Sequence, residues 1–273
     1  MTAGLRKTAA LLALAVMFTG CSAPAESESG DALPDVVGSM DIRYAEQFSV
    51  DYLADGSALA EVADGRRYLI IPDGGEVPDQ LPEDVTVISR PENIYLASSS
   101  SMDLFSSLDC LGDILASSTP ESGWKLPEIA QAMADEDILY AGKYSSPDIE
   151  LLMSEGCDLA IENMMIYHSP KTAEQIESCG IPVFIERSSA ESHPLGRLEW
   201  VRLYGLMLGK SDEAEKFFSE KCSLLDEVTS RDSTGCTAAF FYISSNGSAV
   251  VRKPGDYISK MIELAGGKYV FTA

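Results

Sequence analysis

The stretch HPLGRLEWVRLYGLMLGKSDEAEKFFSEKCSLLDEVT, residues 193–229, decides how the rest of the chain is read. Its apolar residues Leu198, Val201, Leu203, Tyr204, Met207, Leu208, Phe217, Phe218, Leu224 and Leu225 fall at helical spacing, with no alternating strand pattern among them. From Leu195 to about Thr229 it reads as a helix far longer than the usual 11–12 residues or so, with a break foreseen at Gly209. A rigid helical strut is therefore expected between two sheet-based halves.

Upstream, residues 42–71 read as a β-meander: IRYAEQFSVDYL, a turn at Asp55-Gly56, ALAEV, a turn at Asp64-Gly65, then RRYLIIP. After a Pro- and Gly-rich link from Pro72 to Pro82, short apolar strands alternate with amphipathic helices, the pattern of an open parallel sheet. The strands are VTVIS from Val85, IYLAS from Ile94, ILAS from Ile114, ILYAG from Ile138, DLAIEN from Asp158 and PVFIE from Pro182. Helices are expected over Met102–Leu111, Pro127–Ala134, Pro147–Ser154 and Pro170–Ser178. Proline opens three of them, where its missing N–H costs nothing, and Gly156 and Gly180 follow the last two as helix C-caps do.

Downstream, the βα alternation resumes with AAFFYIS, an Asn246-Gly247 turn, AVVRKP, a helix from Asp256 to Ala265 and the strand YVF. One or two strands and one helix cannot cover both faces of a sheet. The second unit is therefore expected to be incomplete, the chain being truncated or its second lobe completed by something else.

The start of the chain carries its own address. Arg6 and Lys7 precede an apolar run from Thr8 to Phe18, then small residues and Cys21, an export signal too short for the roughly 20 apolar residues of a membrane span. The tetrapeptide Phe18-Thr19-Gly20-Cys21 resembles the bacterial lipobox, with phenylalanine where leucine is usual. The resemblance implies cleavage before Cys21 and diacylation of its sulfur, a tether to the cell membrane. Ala-, Ser-, Glu- and Pro-rich residues then form a flexible stalk. With 43 acidic against 20 basic side chains, a net charge of −23 repels nucleic acid and anionic headgroups. Five further cysteines, Cys110, Cys157, Cys179, Cys222 and Cys236, follow no metal-ligand spacing and cannot all pair internally. Cys157 and Cys179 each precede a predicted strand and are the candidate pair if those strands are neighbours.

One α/β lobe, a long helix and the start of a second α/β lobe is similar to the layout of the iron-complex (siderophore, haem and cobalamin class) substrate-binding lipoproteins of ABC transporters. The resembling text is IYLASSSSMDLFSSLDCLGDI, YAGKYSSPDIELLMSEGCDLAIEN, HPLGRLEWVRLYGLMLGKSDEAEKFF and YISKMIELAGGKYVF. The resemblance implies a class III periplasmic-binding-protein-like α/β fold: signal peptide 1–20, stalk 21–38, a Rossmann-like lobe with a small β-meander at its start over 39–193, a connecting helix over 194–230 and the beginning of a second lobe over 231–273. It implies a monomer outside the cytoplasm that grips an iron-siderophore, haem or corrinoid-type ligand between its lobes and delivers it to an ABC permease, with no cofactor of its own. In SPDIELLMSEGCDLAI it assigns permease docking to Glu150.

In open α/β sheets ligands bind beyond the carboxyl ends of the strands, so the strand-to-helix loops hold the candidates. These are Ser99, Trp124, Lys143, Tyr144, Met165, Tyr167, His168 and Arg187 in the first lobe and Arg252 in the second. Lys143 and Arg187 suit ligand carboxylates, the tryptophan and tyrosines suit a flat macrocycle or catecholate, and His168 suits a metal axial position or a hydrogen bond to a chelate. Met164 and Met165 suit soft Cu(I) or plain packing. His193, ahead of Pro194, reads as a helix cap. No GxSxG, HExxH or GxGxxG is present, and Gly209-Lys210-Ser211 lacks the leading glycine of a phosphate loop, so the chain reads as a binder and not an enzyme. The alternatives are a zinc or manganese binding lipoprotein, for which two histidines in one lobe are few, and a surface interaction lipoprotein without a transport role.

Overall fold

The computed structural model describes residues 33–271. The signal peptide, Cys21 and the first part of the expected stalk lie outside them. The stalk's last residues do not stay free of structure: Val36–Ser39 (β1) pairs antiparallel with Phe48–Leu53 (β2) as an edge strand. The meander continues through Ala58–Val62 (β3) and Arg67–Ile70 (β4), with Gly56 and Gly65 at positive φ in the two foreseen Asp-Gly turns. Val85–Ile88 (β5), expected in the parallel sheet, instead pairs parallel with β4 and completes this leading sheet in the order β1-β2-β3-β4-β5.

Residues 42–47 alternate like a strand but form none. Their backbone is claimed by two buried carboxylates far away in sequence. Glu199 accepts from the amides of Arg43, Tyr44 and Ala45 at 2.7–2.8 Å, and Glu191 from those of Glu46 and Gln47 at 2.8 and 3.0 Å. Donors satisfied this way have no need of a β partner.

The central sheet comprises Ile94–Leu96 (β6), Ile114–Ser117 (β7), Leu139–Tyr140 (β8), Leu159–Asn163 (β11) and Val183–Glu186 (β12), all parallel, in the order β12-β11-β6-β7-β8. Between β8 and β11, Gly142–Lys143 (β9) and Ser146–Pro147 (β10) make a minute hairpin. The helices are Met102–Ser107 (α1), Pro127–Ala134 (α2), Ile149–Ser154 (α3) and Pro170–Ser178 (α4). Proline opens α2 and α4 as expected. Pro147 does not open α3, because Asp148 takes the N-cap and accepts from Leu151 N at 3.0 Å. The helix expected over Met102–Leu111 ends at Ser107, with Asp109 at positive φ.

Two cores flank the sheet. One face, through Ile94, Leu96, Ile161 and Phe184, packs on α1 and on Trp200, Leu203 and Tyr204, and runs on into the leading sheet through Val50, Val62 and Tyr68. The other face, through Tyr95, Ala160 and Ile185, packs on Leu152 of α3 and Ala173 and Ile176 of α4. Tyr68 links the layers, its hydroxyl accepting from the Ile185 amide of edge strand β12 at 3.2 Å.

The 193–229 stretch is two helices and not one strut. Pro194–Met207 (α5) and Ser211–Thr229 (α6) are separated at Gly209, whose φ of +67° a side chain would disfavour. The helices fold back antiparallel. Arg202 Nε meets Glu215 at 2.7 Å, while Leu195 and Leu198 share a groove with Leu225 and Val228. At the crossing a Cβ on Gly205 would stand 2.4 Å from Ala214 Cβ, so the approach requires glycine. The break falls where foreseen; the reversal of direction there is what helical periodicity does not reveal. α5 thus belongs to the first lobe's core, and the 19-residue α6 packs back onto the same core through Ala214, Phe218 and Cys222.

Beyond α6, Thr237–Ala238 (β13) pairs parallel with Lys268–Tyr269 (β16), while Phe241–Ile243 (β14) pairs antiparallel with Ala249–Val251 (β15) across the foreseen Asn246-Gly247 turn, before Tyr257–Leu264 (α7). The last strand is thus set one residue before the expected YVF. The β14–β15 hairpin is exposed throughout.

Cys157 and Cys179 are free, as are Cys110, Cys222 and Cys236. β11 and β12 are neighbours as the pairing required. However, their register, Ala160 opposite Val183, carried back along both chains sets Gly180 and not Cys179 across from Cys157.

Candidate functional site

The order β12-β11-β6-β7-β8 reverses direction between β6 and β11: from β6 the chain builds outward to β7 and β8, then returns to the other side. The crevice beyond the carboxyl ends of β6 and β11 is thus the switch point where open α/β sheets bind ligands.

Three loops are tied together there. Ala97, just past β6, gives its amide to Ile161 O at 2.9 Å, while its carbonyl accepts from Asn163 Nδ2 at 3.1 Å and Ser118 Oγ at 3.0 Å. In the run 98–101 the serines divide by role. Ser98 Oγ donates to Glu186 at 2.7 Å and Ser100 Oγ to the same oxygen at 3.4 Å. Ser101 shares a 2.9 Å bond with the Tyr204 hydroxyl. Ser99 is exposed and takes no part in these bonds.

Tyr167 and Arg187, from the loops after β11 and β12, come together. Arg187 Nη1 donates to the Tyr167 hydroxyl at 2.9 Å and its carbon lies 5.8 Å from that ring's centre. Arg187 Nε reaches Gln47 Oε1 at 3.1 Å, and Tyr167 donates to Asp64 Oδ2 at 2.6 Å. Burial first, then the Asp64 bond, raises the Tyr167 pKa, so the phenol stays protonated. Met165 and His168 sit exposed on the same short helical turn. Lys143 is exposed on the β9–β10 hairpin, and Tyr144 leans onto the core of α3 and α4. Trp124 is half-buried, its indole donating to Thr119 O at 3.1 Å, which pins its own loop.

His193 caps α5 as foreseen: its Nδ1 accepts from Leu195 N at 3.1 Å and its ring stacks on Tyr44 at 4.7 Å. Burial, then the nearby Lys260, lowers its pKa, which suits a neutral acceptor. Glu150 is exposed in the first turn of α3. Arg252, far from these loops in the chain, lies 3.7 Å from Asp256 with its Nε buried and without a partner.

Sequence reasoning passed over Gln47, Asp64, Asn163 and Glu186. Glu186 had a readable signal, an acid closing an otherwise apolar strand. Gln47 and Asp64 had none, because they lie in the leading sheet and reach the loops only through the tertiary fold. A separate recess on that sheet, lined by Asp55, Ser57, Glu76 and Asp79, lies away from these loops. Its lining holds no cation to meet an anionic solute, and the switch point is the better candidate.

No family model matches the chain. A lipoprotein of Methanocaldococcus jannaschii, itself uncharacterised, is 23% identical over 228 residues, 77% of this chain and 53% of that protein. The periplasmic haem-binding protein HutB of Vibrio cholerae superposes with a TM-score of 0.54 at 16% identity, covering 65% of each chain. The petrobactin-binding protein YclQ of Bacillus subtilis superposes with a TM-score of 0.52 at 12% identity, covering 78% of this chain and 66% of that one. The chain thus spans about half the length of the lipoprotein and about two thirds of each solved structure. No helix among the described residues is long and apolar enough to cross a membrane. At these identities the likeness defines architecture: the chain has the mixed α/β fold, built on a parallel sheet, of the class III periplasmic binding proteins.

Proposed function

We propose that this protein is an extracytoplasmic, Cys21-anchored solute-binding protein that captures an iron-siderophore, haem or corrinoid-type ligand and delivers it to an ABC permease, acting as a binder and not an enzyme. The observation that carries the reading is the shelf at the switch point, where Arg187 and Tyr167 stand together beside the exposed Ser99, Met165 and His168. A guanidinium on an aromatic face, with small polar groups around it, suits a flat, anionic metal chelate. The fold shared with haem- and petrobactin-binding proteins supports the same class of solute. Lys143, Tyr144 and Trp124, on other strand-to-helix loops, are proposed as further contacts, and Arg252 is the proposed contribution of the segment after α6. Glu150, exposed at the start of α3, is the proposed contact for a permease arginine.

Absorbance titration of the secreted protein with ferric siderophores, haem and cobalamin tests this directly. Saturable binding of one of them at micromolar concentration or below is expected. Tight binding of bare zinc with none of the chelates bound would favour a metal-ion carrier instead.

A further inference from the structure

We infer that Gln47 and Asp64, two residues of the leading sheet and its approach, are positioning residues that hold the Arg187 guanidinium at the shelf without a direct ion-pair partner, ready for an anionic group of the solute. This rests on the shelf being the binding site.

In a chain of net charge −23, carboxylates are abundant. Arg66, Arg67, Arg90, Arg202, Arg231 and Arg252 all pair with one; Arg43 lies over aromatic rings and Arg197 bonds backbone carbonyls instead. Arg187 forms no ion pair among the described residues; both its acceptors are neutral, the Gln47 amide oxygen and the Tyr167 hydroxyl. Neutral acceptors fix the direction of a guanidinium without cancelling its field, whereas a carboxylate would do both.

Each acceptor is itself held. The Gln47 amide donates to Glu191 Oε1 at 3.0 Å and its carbonyl accepts from Ala63 N at 2.9 Å, so its side chain starts from a fixed point. Asp64 works through Tyr167: by taking the phenolic hydrogen at 2.6 Å it turns an oxygen lone pair toward Arg187. The carboxylate's own charge is met by Arg66, with Nε at 3.7 Å, and not by Arg187. Because Tyr167 stays protonated, it cannot act as a phenolate counter-ion.

The decisive variant is Gln47→Glu, nearly the same shape with a charge added. It is made in the full chain beside Gln47→Ala, Asp64→Asn and Arg187→Ala, and titrated with a ferric tricatecholate, which is anionic, a neutral ferric trihydroxamate, and citrate. We expect Gln47→Glu to keep or raise the Tm, since it gains an ion pair, yet to bind the tricatecholate and citrate at least tenfold more weakly, with a flatter salt dependence. Binding of the neutral trihydroxamate should change less than twofold. Asp64→Asn should weaken the anions severalfold, and Asp64 and Tyr167 should couple in a double-mutant cycle on affinity. Arg187→Ala should abolish citrate binding. Unchanged anion affinity in Gln47→Glu, an equal loss for the neutral probe, or a wild-type protein that binds neither anion would overturn the inference. A wild type that binds citrate through Arg187 but no iron chelate would support it and defeat the transport reading.

Discussion

Glu186 and Glu162 stand at the carboxyl ends of adjacent strands, both with no solvent exposure, and face opposite sides of the central sheet. The register sets Glu162 opposite Ile185, on the face covered by α3 and α4. Glu186 alternates to the face covered by α1 and α5. Glu186 accepts from Ser98, Ser100 and the Ser188 amide. Glu162 has neither oxygen partnered, and the hydroxyl of Tyr95 on the same face is unpartnered too. Without donors to stabilise the anion, burial pushes the Glu162 pKa up to about 8, and its negative charge in turn helps to raise that of Tyr95. One residue type in one place in the fold is thus a loop anchor on one face and a stored proton on the other. Hydrogen-bond supply decides which.

Replacing Glu186 by Ala should cost the most, about 3 kcal/mol, because two buried donors, the Ser98 hydroxyl and the Ser188 amide, lose their acceptor. At roughly 2–4 °C per kcal/mol for a chain of this size, calorimetry should show the Tm falling by roughly 6–12 °C. A fall below about 2 °C would erase the distinction between the two faces. Ser101→Ala removes the partner of the buried Tyr204 hydroxyl and a longer, 3.3 Å bond to Ser98 Oγ, and should cost about 1.5 kcal/mol by the same measurement.

Glu162 should show itself through pH. Its folded pKa is raised from the ordinary 4.5 to about 8, so the native state keeps a proton that the unfolded chain gives up. This contribution is complete below pH 4.5 and is lost as pH rises through 8, a slope of up to about 1 kcal/mol per pH unit. Urea unfolding across pH 5–9 should find that slope in the wild type and a flatter one in Glu162→Gln; identical slopes would mean that the carboxyl has a partner after all. The smallest effect belongs to the exposed Arg231–Glu227 pair, 2.6 Å apart between the last turn of α6 and the residues just after it, where Arg231→Ala should cost no more than about 0.5 kcal/mol.

Where local chemistry decides structure, the sequence was legible. Pro127 and Pro170 open their helices, Gly156 and Gly180 close theirs at positive φ, and three Asx-Gly pairs make their turns. Where a distant partner decides, it was not. Residues 42–47 alternate like a strand, but Glu191 and Glu199 take their amides from about 150 residues away. Val85–Ile88 has the text of any buried parallel strand, and only its pairing with β4 assigns it to the leading sheet. The break at Gly209 was foreseen, but the folding back of α6 onto α5 was not, because it depends on the close approach of Gly205 and Ala214. The strand-to-helix loops of the candidate site could be named from the expected topology alone, and both residues of the Arg187–Tyr167 contact lie in them. The supports of that contact, Gln47 and Asp64, were out of reach because nothing in their neighbourhood marks them.

The central claim is that solute sits on the carboxyl edge of the central sheet, against Arg187 and Tyr167. Amide hydrogen exchange with and without the saturating chelate tests it most directly. We predict that protection concentrates in residues 98–101, 141–146, 164–168 and 187–190. Protection centred instead on residues 72–79, at the recess of the leading sheet, with those four segments unchanged, would contradict it.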